Sequence, residues 1–284
     1  MDNSVTILVN SCDLYEDAWE PFFRLLHIQW PTCQYPCVLN TETKVYQCDF
    51  MNVKTICAGG GQTWSKRIIN CLKQIDSDYI LFFLEDEFLR EKVNTQWFDN
   101  TLQYMKEHED VGVIFVRHSG KQKEHSGEPY IDRHALTDRF PIVGLAALYR
   151  KTYFLKLLRK HENPWEFERY GSIRSQRMKE KVLQYSWDYP AMFVFDDEIE
   201  KGYGITKRKW LPKNKELFEQ YGISVNFERL GWLDTSEKAS ANDLEPKAIS
   251  SDQSIREKLH QVKKIIVKMP QKVKKKMREL KSLR

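Results

Sequence analysis

The chain has 284 residues with 45 Lys and Arg against 40 Asp and Glu, a net charge of +5. That length suits one large domain with an appendage, no run approaches the ~18 apolar residues of a membrane span, and the start MDNSVTILVN lacks the basic and apolar regions of a secretory leader. The charge is uneven: 254–284 holds nine Lys, three Arg and two Glu, net +10, which leaves a body of 33 basic and 38 acidic groups.

Val5–Val9 (VTILV) is β-branched and reads as a strand that ends in the turn Asn10-Ser11-Cys12-Asp13. Apolar residues at Trp19, Phe22, Phe23, Leu25 and Leu26 then predict a helix. Tyr35–Asn40 and Thr55–Ala58 are the next strands, the latter running into Gly59-Gly60-Gly61. Ser65–Ile75 has helical spacing, Tyr79–Leu84 is a fourth strand, Thr95–Glu107 a helix and Val111–Val116 a fifth strand. Strands alternating with helices predict an α/β domain with a mostly parallel sheet, whose ligands sit beyond the carboxyl ends of the strands. Residues 117–140 are polar and read as a long loop. Ile142–Leu148 is predicted as a strand, Thr152–Lys160 as a helix, Asn163-Pro164 as a helix start and Ala191–Phe195 as a strand. The six cysteines all precede residue 72 and lack zinc-like spacing, so they read as reduced thiols in a cytosolic protein.

The segment FFLEDEF stands out, because an apolar strand runs into Glu85, Asp86 and Glu87. Packed like charges persist in water or where something positive binds them. Carboxylate oxygens at a strand end suit a hard cation such as Mg²⁺ or Mn²⁺. The plainer alternative is a solvated turn capping the next helix. Asp13 follows the first strand at that ligand edge, where it either meets a ligand or caps the following helix. Trp64, Ser65, Lys66 and Arg67 follow the three glycines, a basic helix start suited to phosphate, with Arg67 as a bidentate contact; a flexible turn is the rival reading. No GxxxxGK[ST] motif is present. Glu166 and Glu168 in NPWEFER lie near a helix start, where they either complement the helix dipole or act as a base, with Trp165 and Phe167 as apolar setting or stacking face. Lys207-Arg208-Lys209-Trp210, after Gly202 and Gly204, forms either a loop that closes on a diphosphate or a solvated hairpin. His118 and His125 are loop histidines, more suited to the surface than to a ligand role.

Taken in order, VNSCDLYEDAWEPFF, WSKRIINCLKQIDSDYILFFLEDEF, GLAALYRKTYFLKLLRKHENPWEFERYGS and GYGITKRKW resemble a GT-A nucleotide-sugar glycosyltransferase, of the kind that builds bacterial capsular or cell-surface polysaccharide. The resemblance covers roughly residues 5–232. It implies a GT-A-like, Rossmann-like fold in 1–233, with a nucleotide-binding half (1–116) and an acceptor half (117–233). It implies metal-assisted transfer from a UDP-linked sugar to a lipid-linked or growing glycan. Glu85, Asp86 and Glu87 would serve a Mn²⁺ or Mg²⁺ ion, Asp13, Trp64, Ser65, Arg67, Asp86 and Lys209 the donor, and Glu168, with Glu166 second, would be the base of an inverting reaction. The motif departs from the usual Asp-x-Asp.

Residues 234–253 read as a polar linker. In 254–284, Ile255, Leu259, Val262, Ile266, Met269, Val273, Met277 and Leu280 recur every three or four positions among the basic residues, a basic amphipathic helix interrupted at Pro270. Such a tail is expected to lie on an anionic membrane surface at the inner face of the cell membrane, or to form a homodimer; the body lacks the basic, aromatic-laced patch of a nucleic-acid binder. Rival functions are a sugar-phosphate nucleotidyltransferase and a non-catalytic membrane scaffold with a transferase fold.

Overall fold

The computed structural model describes residues 4–117, 123–128, 131–134, 141–186, 188–195 and 204–234. His118, the side chain of His125, the linker beyond Asp234 and the basic tail lie outside the described residues.

Among the described residues nine strands form one sheet, ordered β3 (Val53–Cys57), β2 (Cys37–Thr41), β1 (Val5–Asn10), β4 (Tyr79–Leu84), β8 (Ala147–Arg150), β5 (Val111–Phe115), β9 (Lys181–Tyr185), β7 (Ile131–His134) and β6 (Lys123–Glu128). The pairs β1·β2, β1·β4, β2·β3 and β5·β9 are parallel, and β8 runs antiparallel between β4 and β5. This is the expected Rossmann-like, mostly parallel sheet. The order reverses next to β1, which gathers the loops after β1, β2, β3 and β4 at one carboxyl edge.

The side-chain period of two divides the core. Ile7 and Val9 of β1, Leu81 and Phe83 of β4, and Ile114 of β5 face one layer. There α1 (Trp19–Gln29) contributes Phe22, Phe23 and Leu26, and α3 (Thr95–Glu107) contributes Phe98, Leu102 and Met105. Leu8, Ile80, Phe82, Val113 and Phe115 face the other, against α2 (Trp64–Leu72), α4 (Lys151–Leu157) and α5 (Pro164–Ser175). Helix starts follow their sequence signals: the Thr63 hydroxyl accepts from Lys66 N, Asn94 Oδ1 from Trp97 N at 3.2 Å, and Asn163 with Glu166 forms a capping box ahead of Pro164.

Three expectations change, and two elements were not foreseen. The strand foreseen over Ile142–Leu148 begins only at Ala147, because side chains take the amides of 142, 144 and 146 away from the sheet. Ala191–Phe195 is not a strand; it makes a single bridge, Phe195 to Leu89. The loop foreseen over 117–140 contains the β6–β7 hairpin, with His125 opposite Asp132. Strand β9 and helix α6 (Lys213–Gln220) carried signals too short or too polar to be foreseen, whereas the two-stranded ribbon β10 (Ile205–Thr206) with β11 (Lys209–Trp210) is the hairpin held open for Lys207–Trp210.

Candidate active site

The acidic triplet leaves β4 at the carboxyl edge, and all three members are buried: Glu85 is 7% exposed, Asp86 8% and Glu87 2%. It is therefore not a solvated turn. Its members have different surroundings. Glu87 Oε2 accepts from Leu84 N at 2.8 Å and Oε1 from Ala146 N at 3.0 Å, with the Arg117 guanidinium 3.6 Å from Oε1. Burial raises its proton affinity, and Arg117 with the two amides pulls it back. Asp86 Oδ2 accepts from Ile205 N at 3.1 Å, while its carbonyl accepts from Gly204 N at 3.0 Å. Burial pushes the Asp86 carboxyl up to about 7, with the Glu87 charge adding to it and the Ile205 amide and Arg117 opposing. Glu85 is driven well above the usual carboxylate range, by burial first and by Asp86 next, with Arg67 opposing.

Arg67 comes from α2, is 6% exposed, and donates through Nη1 to Ser11 O at 2.7 Å. Its Nε is buried without a hydrogen-bond partner. A guanidinium held at one corner, with a donor unused, faces the edge where Glu85 sits.

Asp13 lies in the 3-10 turn Asp13–Ala18 after β1. It does not cap the following helix, the second role foreseen for it: Oδ1 accepts from the amides of Glu42, Thr43 and Lys44 at 3.1–3.2 Å, and Oδ2 from the Thr43 amide and hydroxyl. It ties the loop after β2 to the loop after β1. Those hydrogen bonds hold its carboxyl below the usual value although burial opposes them.

Trp64 packs its ring 5.2 Å from Phe167 and 6.4 Å from Phe82, so it joins α2 to α5 and β4. Ser65 is fully buried, and its amide donates to Glu162 O at 3.2 Å. Lys209 is exposed on β11, next to the tip of the ribbon. That tip is Lys207 and Arg208, with φ of 51° and 64°. Two positive φ values make the mirror-image turn that matches strand twist, but such turns favour Asn-Gly, and side chains there are strained. Gly204 anchors the ribbon: a Cβ there would run into the Phe88 ring and lie 2.9 Å from Asp86 O.

Glu168, on α5, accepts from Gly144 N at 2.8 Å through Oε1, and burial raises its carboxyl while that amide lowers it. With Ser172 Oγ bonded to Ile142 N at 3.0 Å and Glu87 on Ala146 N, it holds residues 141–146 as a strap leading into β8. Glu166 does not share this place: its Oε2 accepts from Asn163 N at 3.1 Å, so it caps α5. Phe167 is 1% exposed and belongs to the core, whereas Trp165 is 58% exposed.

Tyr15 and Arg117 escaped the sequence reading. Burial and the charges of Glu85, Cys12 and Asp86 push the Tyr15 hydroxyl up to about 12, and Arg208 opposes them. Tyr15 is therefore within electrostatic reach of the acids and of Arg208. Its signal was its place in the first carboxyl-edge turn, and that of Arg117 was a cation directly after a buried strand.

Among the described residues no group of three or more His, Cys, Asp or Glu side chains is placed to hold a metal ion. With Glu87 engaged by amides and Arg117, the donors that fit a divalent cation are Glu85 and the second oxygen of Asp86. That set suits an ion taking its other ligands from a diphosphate and water.

No protein-family model and no curated protein matches the chain. Among solved structures it is similar to S. aureus TarS 1–349, with TM-score 0.44 and 13% identity over 67% of this chain and 59% of that one. The same protein in complex with UDP-GlcNAc gives 0.43 and 13% over 70% and 60%. A cytidylyltransferase from Leptospira borgpetersenii serovar Hardjo-bovis gives 0.39 and 12% over 62% and 74%. The chain spans about three fifths of the TarS structures.

Proposed function

We propose that this chain is a glycosyltransferase that moves a sugar from a UDP-linked donor to a glycan acceptor, lipid-linked or part of a growing cell-surface polysaccharide. The observation that carries the proposal is the buried Glu85–Asp86 pair at the carboxyl end of β4, beside a buried Arg67 with an unused donor. Buried like charges raise each other's proton affinity unless a cation relieves them, so the pair favours a positively charged guest. Arg67 and the cations at the ribbon tip favour an anionic one. A nucleotide diphosphate accompanied by a divalent ion satisfies both.

In this reading residues 1–116 hold the nucleotide, with Asp13 fixing the loops around it, and 117–233 hold the acceptor. Mn²⁺ or Mg²⁺ held by Glu85 and Asp86 would supply positive charge at the diphosphate as it leaves. Lys207, Arg208 and Lys209 neutralise the same group from the ribbon. Glu168 takes the proton of the acceptor hydroxyl as its oxygen bonds the sugar anomeric carbon and the carbon–oxygen bond to UDP breaks, which inverts that carbon. Its burial keeps the carboxylate basic enough for the task. The basic tail would keep the enzyme at the inner face of the membrane.

The test is thermal stabilisation by a panel of nucleotides, each with and without Mn²⁺. A melting-temperature rise with UDP that needs Mn²⁺ and vanishes in Glu85→Gln supports the reading. No rise with any nucleotide defeats it, and pyrophosphate release from a nucleoside triphosphate would identify a nucleotidyltransferase instead.

A further inference from the structure

Helix α5 has two faces. Phe167, Gly171, Ser172 and Ser175 are buried against the sheet. The opposite line, at four-residue spacing, is Trp165, Arg169, Ile173 and, just beyond the helix, Arg177. Trp165 is 58% exposed and Ile173 41%, and both arginines are exposed. A large aromatic ring more than half open to water at the first turn of a well-capped helix is a surface feature rather than part of the core. The capping box fixes its position, so this is not a frayed end.

The charges around this line are one-sided. Glu166 bonds the Asn163 amide in the cap. Glu162 is 1% exposed and holds Arg174 through two bonds of 2.6 Å. Glu180 pairs with Lys156 at 2.6 Å. Glu162 and Glu180 are neutralised by cations and Glu166, still charged, is turned into the cap, while Arg169 and Arg177, and Lys160 from the preceding loop, are exposed positive charges beside exposed apolar groups.

We infer that the outer face of α5 docks on an anionic lipid surface. An apolar–basic alternation along one helix line is the pattern of an interfacial helix, with Trp and Ile entering the headgroup boundary and Arg meeting lipid phosphates. A protein partner or a second copy would need a larger apolar patch or acidic complements; this line offers isolated apolar groups among cations, which suits a fluid, negatively charged surface. The contact goes beyond any role of the basic tail. It stands without the transferase reading; only its use, bringing a lipid-held acceptor to the helix that carries Glu168, rests on that reading.

The test uses the full chain and vesicles of phosphatidylcholine, with or without phosphatidylglycerol. Co-sedimentation is expected only with the anionic lipid. Trp165→Ser with Ile173→Ser should weaken it on the order of tenfold, and Arg169→Glu at least about fivefold, with melting temperature and UDP response unchanged. Residues 235–284 contain no Trp, so quenching of tryptophan emission by brominated lipid reports on the body, and it should fall in Trp165→Phe. Unchanged sedimentation and quenching in these variants would overturn the inference, leaving any binding to the tail. A change in oligomeric state on Trp165→Ser, with vesicle binding intact, would overturn it in favour of a face between copies.

Discussion

Glu87 and Glu168, from different elements, grip the same strap: Glu87 Oε1 accepts the Ala146 amide at 3.0 Å and Glu168 Oε1 the Gly144 amide at 2.8 Å. Two of the acids singled out by the sequence thus position backbone in the strap, Asp86 Oδ2 holds the Ile205 amide, and Glu85 and the other oxygen of Asp86 are the ones assigned to a guest in the proposed function.

The triplet should therefore divide under mutation. Glu87→Ala removes the acceptor of one buried and one part-buried amide and an ion pair with Arg117, and should cost about 3 kcal/mol. In a chain of this size that lowers the melting temperature by roughly 6–12 °C. Glu85→Gln removes a buried like charge and should leave stability equal or higher while abolishing the Mn²⁺-dependent response to UDP. Equal melting temperatures in the two variants would contradict the division.

Glu168→Gln keeps an oxygen for the Gly144 amide, so the fold should persist while turnover falls by about 10²–10⁴. The pH dependence has a definite sign. Burial raises the folded-state pKa of Glu168 above its unfolded value, so between the two the folded chain binds the extra proton. Stability from this group therefore falls as pH rises from the ordinary carboxylate range through the raised value, while turnover rises over the same span. Glu85, Asp86 and Glu87, also raised by burial, add slope of the same sign, so Glu168→Gln should lessen the slope, as read by urea midpoints across pH, and an unchanged slope would remove Glu168 as a contributor.

Lys207→Asn with Arg208→Gly should act in opposite directions on two readouts. Relieving two left-handed side-chain positions should stabilise the ribbon by about 1 kcal/mol. Loss of two cations should weaken UDP binding. Weaker binding without a rise in melting temperature would show that the tip is not strained.

Asp13→Ala should release the loop after β2. Hydrogen exchange at the amides of Glu42, Thr43 and Lys44 should accelerate, with β1 and β4 protected as before. Unaltered exchange at those amides would mean that the loop is held otherwise.

Much of the first half was legible because local pattern and tertiary demand agree there. Tyr79–Leu84 and Thr95–Glu107 match their strand and helix to the residue, and the strand at Val5 runs one residue beyond Val9. The second half was less legible because its conformation depends on distant acceptors. Ile142–Ala146 has the apolar content of a strand, yet Ser172, Glu168 and Glu87 claim its amides. Nothing local to Ala191–Phe195 says that its backbone stays largely out of the sheet. The acidic triplet stood out in the sequence, but the different surroundings of its three members depend on Ala146, Arg117 and Ile205, residues far off in sequence. Glu166 and Glu168 looked equivalent in NPWEFER, and helical geometry alone sends one to the cap and the other to the strap.

The bonds from Asp86 to the Gly204–Ile205 backbone have a consequence for biosynthesis. Asp86 and Ile205 are 119 positions apart, so on the ribosome the acids of β4 emerge long before the segment that completes their surroundings. Until then the nascent sheet carries carboxylates without the Ile205 amide, and a polypeptide stopped short of the ribbon would expose an unfinished edge. The acid end of β4 thus gains its Gly204 and Ile205 partners only after more than two thirds of the chain has been made.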